Sequence, residues 1–350
     1  MNFELDSAQR EYLDVFMEGV SRSFALVVPF LEPPLRDYVA TAYLICRVID
    51  NIEDCHQTFE WKTVRFQEIS QLLLEPNLAL PILQSWEREN WPGLGTEQAR
   101  LMGAENGQML WQIFASIPDA ARSSIQKWAQ VMVSGMERLE DPLISPDWSD
   151  QGNIRLLRRE KDYNEYCFIV AGTVGYMLTE LVTQHYGFSE SVVQALEPWA
   201  ESCGRGLQKT NILKDFAEDL SRGVCYLPEE WLKEARFSPL HLNGAPGIWK
   251  KKVIDNVMGE LRNSIDYIQA LPYSAEGYRM ASLLSLLPAM QTIYLAAQLQ
   301  DKLFTVEHQV KISRPVMGEC LIDARRLLQD NDGILEYAYA IQKAIDMQFE

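Results

Sequence analysis

The sequence predicts an all-α protein. Three observations carry this: apolar residues recur at helical spacing through nearly the whole chain, alternating strand patterns closed by hairpin turns are nearly absent, and the breakers between helices are short. The periodicity places helices over 7–19, 35–55, 60–74, 79–89, 97–115, 119–139, 162–186, 190–221, 228–235, 247–270, 275–301 and 316–347. Pro33-Pro34, Trp91-Pro92-Gly93, the stretch from Asp141-Pro142 to Gly152, Pro239 to Pro246, and Ser313-Arg314-Pro315 supply the breaks. No break is long enough for an interdomain linker, so a single domain is expected over 1–350. The runs Phe168–Val182 and Leu283–Leu299 are shorter than a bilayer span and contain Gly, Thr, Gln or Pro, so they read as buried core helices. Ala171, Gly172 and Gly175 along the first run fit either close helix packing or room for a long apolar ligand.

Composition narrows the function. The 350 residues are 47% hydrophobic and 23% charged, ordinary for a globular protein, with a formal net charge of −17. That charge argues against nucleic acid as a partner and against electrostatic docking on anionic lipid. The six cysteines show no C-x-x-C and no zinc spacing, which suits buried free thiols in a cytoplasmic setting. The N-terminal stretch lacks the apolar core of a signal peptide, and no transmembrane anchor is expected.

The most informative pattern is a repeated tetrad. Asp50-x-x-Glu53-Asp54 recurs as Asp215-x-x-Glu218-Asp219, each inside an apolar helical stretch. Positions i, i+3 and i+4 share a helix face, so each copy clusters three carboxylates. One such string arises by chance in about one chain in ten of this size, and a solvated acidic face explains a single copy. Two identical copies flanked by apolar residues point instead to hard-oxygen ligation of Mg²⁺, with a diphosphate completing the coordination.

Neighbouring residues fit this chemistry. Arg47 lies three positions before Asp50, as a phosphate ligand or as a plain i,i+3 ion pair. Gln208, Asn211 and Lys214 align with the second tetrad. Ser21, Arg22 and Phe24 follow the first helix, where hydroxyl and guanidinium groups suit phosphate, although a helix cap with a surface Arg explains them equally. Tyr163 and Tyr166 enter the apolar helix that holds Gly172. There a tyrosine could shuttle a proton or steady a cation, or simply fill the core. No dinucleotide fingerprint, Walker sequence or Ser-His-Asp arrangement is present.

With these residues in place, the chain resembles the squalene and phytoene synthases, the head-to-head branch of the trans-isoprenyl diphosphate synthases. The matching segments are SRSFALVVPFL (21–31), YLICRVIDNIED (43–54), YNEYCFIVAGTVG (163–175) and LQKTNILKDFAEDLSRGVCYLPEEW (207–231), in family order. The 207–211 string and the segment Val310-Lys311-Ile312, with Arg314, resemble the squalene branch. Lys214 stands where the family commonly has Arg. Val224 stands where it usually has a phosphate-binding Arg, with Arg222 two residues earlier as the available guanidinium.

The resemblance implies an isoprenoid synthase fold with a central apolar cavity. It implies a squalene synthase that joins two farnesyl diphosphates to presqualene diphosphate and reduces this with NADPH. Asp50, Glu53, Asp54, Asp215, Glu218 and Asp219 would hold Mg²⁺. Ser21, Arg22, Phe24, Arg47, Gln208 and Asn211 would bind substrate. Tyr166 would handle the proton, with the released diphosphate as a rival base, while Asn211, Lys214, Lys311 and Arg314 would meet the NADPH phosphates. A lipid product makes peripheral membrane association an expectation. The alternatives are a phytoene or dehydrosqualene synthase, an enzyme that stops at presqualene diphosphate, and a helical prenyl-lipid binder without activity.

Overall fold

The computed structural model describes residues 3–21, 23–141, 148–150, 154–305 and 309–350. The described chain is helical almost throughout. It divides into two compact units. One is built from Met1–Ser145 and Tyr176–Ser189, the other from Pro146–Gly175 and Glu190–Glu350.

In the first unit the Leu35–Asp54 helix runs through the core. Leu35, Leu44, Ile45, Ile49 and Ile52 are fully buried. They pack against the Ser7–Val20, Phe59–Leu74, Thr96–Met102 and Asp119–Glu140 helices, which contribute Phe16, Phe66, Ile69, Leu101 and Ile125 to the same core. Capping follows local chemistry. Asp6 accepts from the Gln9 amide at 2.8 Å and Thr58 from the Trp61 amide at 3.3 Å, each satisfying a donor that a helix start leaves open.

In the second unit the Glu190–Lys214 helix packs along Gly247–Ala270 and against a π-helical turn at Phe168–Gly172. Glycines permit this approach. A Cβ on Gly204 would lie 1.9 Å from the Ala171 carbonyl oxygen, and one on Gly175 would lie 2.0 Å from that of Ala200. The small residues on this face therefore serve close backbone packing. The Glu276–Gln298 helix is buried over most of its surface. Its Arg279, fully enclosed, donates to the carbonyls of Ile268, Leu271 and Leu328. Glu160–Tyr186 and Glu276–Gln298 are long and apolar enough to span a membrane by composition, yet most of each apolar window is buried. That agrees with core helices.

Several expected elements differ. The 97–115 helix is two, Thr96–Met102 and Ala104–Ser116, because Gly103 adopts an extended conformation between them. The 316–347 helix is also two, Arg314–Leu327 and Asn331–Asp346, the second capped by Asp330 through the Gly333 amide. The 190–221 helix breaks at Asp215. A small sheet joins Trp148–Asp150 antiparallel to Arg155–Leu157, which runs parallel to Val224–Cys225. Gly223, at φ +78°, makes the left-handed turn into the last of these strands. Strands of two or three residues carry no readable alternation. The six cysteines are free, and all but Cys203 are buried.

Candidate active site

The first tetrad occupies the last turns of the Leu35–Asp54 helix. Between Asp37 and Ile52 this helix is buried at every position except Tyr43, Arg47 and Asp50, and the half-open stripe continues at Glu53 and Asp54. Steps of four, three and four residues follow one face, so the shared face expected from spacing is present. Arg47 Nη1 lies 3.5 Å from Asp50 Oδ2, and its Nη2 donates to the Tyr43 hydroxyl at 3.4 Å. The buried Nε of Arg47 finds no partner, leaving a donor free for an anion. Burial works against the Arg47 charge, but Asp50 and Tyr43 outweigh it and hold its pKa above the usual value. Phe24 packs against Tyr43, ring centroids 5.3 Å apart, and its amide donates to Ser21 Oγ at 3.0 Å. A chain of contacts therefore runs from Ser21 through Phe24, Tyr43 and Arg47 to Asp50. Arg22 lies outside the described residues.

The carboxylates crowd one another. Burial, with Asp54 beside it, pushes the Asp50 carboxyl up to about 6 against the pull of Arg47. The side chain still keeps 26% of its surface. Burial also drives Glu53 well up, helped by Asp54 and Glu140 and opposed by Lys62.

The second tetrad is spelled alike and built differently. Lys214 ends the long helix, Asp215 stands outside regular helix at φ −99° and ψ 12°, and Glu218 and Asp219 lie in the first turn of Phe216–Ser221. The Asp219 amide still donates to the Asp215 carbonyl at 3.0 Å, so the i,i+4 relation survives the break. Asn211, Asp215 and Glu218 fall on the more accessible side, as does half-buried Gln208, while Asp219 is buried. Own-chain cations engage two of the carboxylates: Lys214 meets Asp215 at 2.6 Å, and Arg222 meets Asp219 at 2.5 Å. Arg222, the guanidinium available near Val224, is thus directed at the tetrad itself.

Tyr166, 5% exposed, stacks on Tyr226 with centroids 4.5 Å apart and planes at 24°. The short sheet brings Tyr226 there, a neighbour that spacing gave no means of finding. Tyr163 is a core residue, edge-on to Trp231 at 5.6 Å, and burial raises its hydroxyl pKa well above the usual value. Lys209, 1% exposed, faces the core and donates to Asn256 Oδ1 and Glu260 Oε1, both at 2.9 Å. Glu260 also pairs with Arg205 at 2.9 Å. Lys311 and Arg314 are exposed.

Among the described residues, no group of three or more His, Cys, Asp or Glu side chains is arranged to hold a metal ion. The donor chemistry nevertheless fits Mg²⁺. This ion takes one or two carboxylates and completes its octahedron with water and phosphate oxygens, so it requires no all-protein cage. Carboxyls held up by burial and mutual repulsion are groups that a divalent cation would stabilise in the charged form.

A family model described as squalene/phytoene synthase matches residues 17–315, and the chain belongs to that family. The squalene synthase of Eremothecium gossypii is 27% identical over 278 residues, 76% of this chain and 57% of that protein. A squalene synthase of Candida albicans is 25% identical over 323 residues, 88% of this chain and 65% of that protein. The chain thus spans less than two thirds of the length of either relative. The solved complex of TcSQS with the ligand BPH1237 matches with a TM-score of 0.74 at 21% identity, covering 98% of this chain and 100% of that one. A dehydrosqualene synthase solved with a ligand matches at 0.62 and 17%, covering 92% and 97%. At these identities the likeness establishes the fold, the all-α fold of the isoprenoid synthases.

Proposed function

We propose that the protein is a squalene synthase, one domain over 1–350. It would join two farnesyl diphosphates head to head into presqualene diphosphate and reduce that to squalene with NADPH. The observation that carries this reading is the half-open stripe of Tyr43, Arg47, Asp50, Glu53 and Asp54 along an otherwise buried helix. Its matching tetrad at Asp215, Glu218 and Asp219 supports it, as does the similarity to squalene synthases.

Mg²⁺ at the two tetrads would offset the charge of the departing diphosphates. The chain's own groups do the rest. Arg47 offers its unpaired Nε–H and its charge to one diphosphate, with Ser21 and Phe24 beside it. Gln208 and Asn211 offer amides near the other. Diphosphate departure leaves an allylic cation, the double bond of the second farnesyl chain attacks it, and loss of one proton closes the cyclopropane of presqualene diphosphate. Tyr166, its ring stacked on Tyr226, relays that proton: its hydroxyl accepts it while passing its own to the released diphosphate, which is the final acceptor and the rival direct base. Apolar walls keep water from the cations. NADPH would supply the hydride of the second half-reaction, its phosphates met by Asn211, Lys214, Lys311 and Arg314. The reading includes a cytoplasmic location with peripheral membrane association for product release.

The test is a product assay by gas chromatography–mass spectrometry on protein incubated with farnesyl diphosphate and Mg²⁺, with and without NADPH. Squalene that forms only with NADPH is expected. Dehydrosqualene, presqualene alcohol after phosphatase as the sole product, or product only from a C20 diphosphate would each replace the assignment with a non-reductive or longer-chain synthase. Binding without any product would make the chain a prenyl-lipid binder.

A further inference from the structure

The Leu35–Asp54 helix ends on carboxylates and has no basic residue in its last turn. Negative side chains at a helix C-terminus oppose the helix dipole. The missing cation comes from another helix. Lys62, on Phe59–Leu74, is 7% exposed. Its Nζ donates to the backbone oxygen of Glu53 at 2.5 Å and to Glu140 Oε2 at 2.8 Å. Glu140 is the last residue of the Asp119–Glu140 helix. One ammonium therefore ties the final turns of two helices to the first turns of a third. The Lys62 and Glu140 side chains keep only 9% and 11% of their surface, so this is a buried pair with fixed geometry, unlike a solvated surface contact.

We propose that Lys62, with Glu140 as its counter-ion, is the positioning residue of the first carboxylate cluster. It holds the last helical turn so that Glu53 and Asp54 present a fixed geometry to a divalent cation bound with a diphosphate. The inference rests on the metal–diphosphate reading of that tetrad. An anchor and a bare charge have opposite consequences. A positive charge beside the site repels an incoming cation, so deleting it would tighten binding. Deleting an anchor loosens the ligands, and loss of outer-shell partners typically costs ~10–100-fold in metal affinity.

The experiment measures Mn²⁺ binding in the presence of inorganic diphosphate, by the electron paramagnetic resonance signal of free Mn²⁺. It compares wild type, Lys62→Met, Lys62→Gln and Lys62→Arg, with circular dichroism as the folding control. Wild-type binding that Asp50→Asn weakens establishes the underlying reading, and its absence would overturn that reading rather than the role of Lys62. Given that binding, about tenfold weaker affinity in Lys62→Met, with at least partial rescue in Lys62→Arg, is expected. Unchanged or tighter binding in Lys62→Met overturns the proposal. Should Lys62→Met fail to fold, Lys62→Gln decides, since it deletes the same charge: weaker binding supports the anchor, and unchanged or tighter binding removes it.

Discussion

The two tetrads share a spelling and occupy opposite ends of their helices. Asp50, Glu53 and Asp54 close a long buried helix, where the dipole is unfavourable and burial raises two of the three carboxyls. Asp215, Glu218 and Asp219 open a short helix, where the dipole favours negative charge, and Lys214 and Arg222 already pair with two of them. A buried lysine fastens the first tetrad's helix, Lys62, and another, Lys209, fastens the helix that precedes the second tetrad. The pattern D-x-x-E-D puts its carboxylates on one face where the helix is continuous, as at Asp50, Glu53 and Asp54, but not where it breaks, as at Asp215, which leaves Asp219 buried. The helix end it falls on sets how much those carboxylates need a cation. At the first cluster Arg47 and Lys62 oppose the rise of Asp50 and Glu53 without overcoming burial; at the second, Lys214 and Arg222 pair at close range with two of the three carboxylates.

Substitutions can break or sharpen this contrast. Asp50→Asn and Asp215→Asn should each lower turnover of farnesyl diphosphate by ~10³-fold or more while circular dichroism stays that of the wild type, since each removes stabilisation of leaving-group charge. Retention of most activity by one of them would mean that the matching spelling hides unequal roles.

Glu260→Gln should cost about 3 kcal/mol of stability at neutral pH in chemical denaturation, because it leaves Lys209 buried without its counter-charge. Burial pushes the Glu260 carboxyl up, but Lys209 and Arg205 outweigh it and hold the group below its ordinary value. A carboxylate with a lowered folded pKa stabilises fully above its unfolded pKa and loses that contribution as pH falls through the folded one. The gap between wild type and Glu260→Gln should therefore close in acid. A gap independent of pH would remove the ion pair as its cause.

Tyr166→Phe should slow formation of presqualene diphosphate by ~10²-fold, as for loss of a positioned proton acceptor. An unchanged rate under single-turnover conditions would leave Tyr166 as the stacking partner of Tyr226 and nothing more. Gly204→Ala should cost about 1–3 kcal/mol, since its Cβ would enter the space of the Ala171 carbonyl. A neutral effect would reopen the 171–175 face as room for an apolar ligand.

The all-α class, most helix positions and the face shared by the first tetrad were legible because each depends on residues near in sequence. Arg47 beside Asp50 was legible for the same reason. The break at Asp215 was not, because one residue leaving helical dihedrals changes no spacing. Lys62 was hidden because its partners lie 9 and 78 positions away. Tyr226 was hidden because a two-residue strand delivers it. The small residues at 171–175 left two readings open until the crossing helix was placed.

The most direct test of the account is Mg²⁺-dependent diphosphate release from farnesyl diphosphate by wild type, both single Asn variants and the Asp50→Asn/Asp215→Asn double variant. Release by the wild type and almost none by any folded variant is expected. Wild-type release from a correctly folded double variant would contradict it.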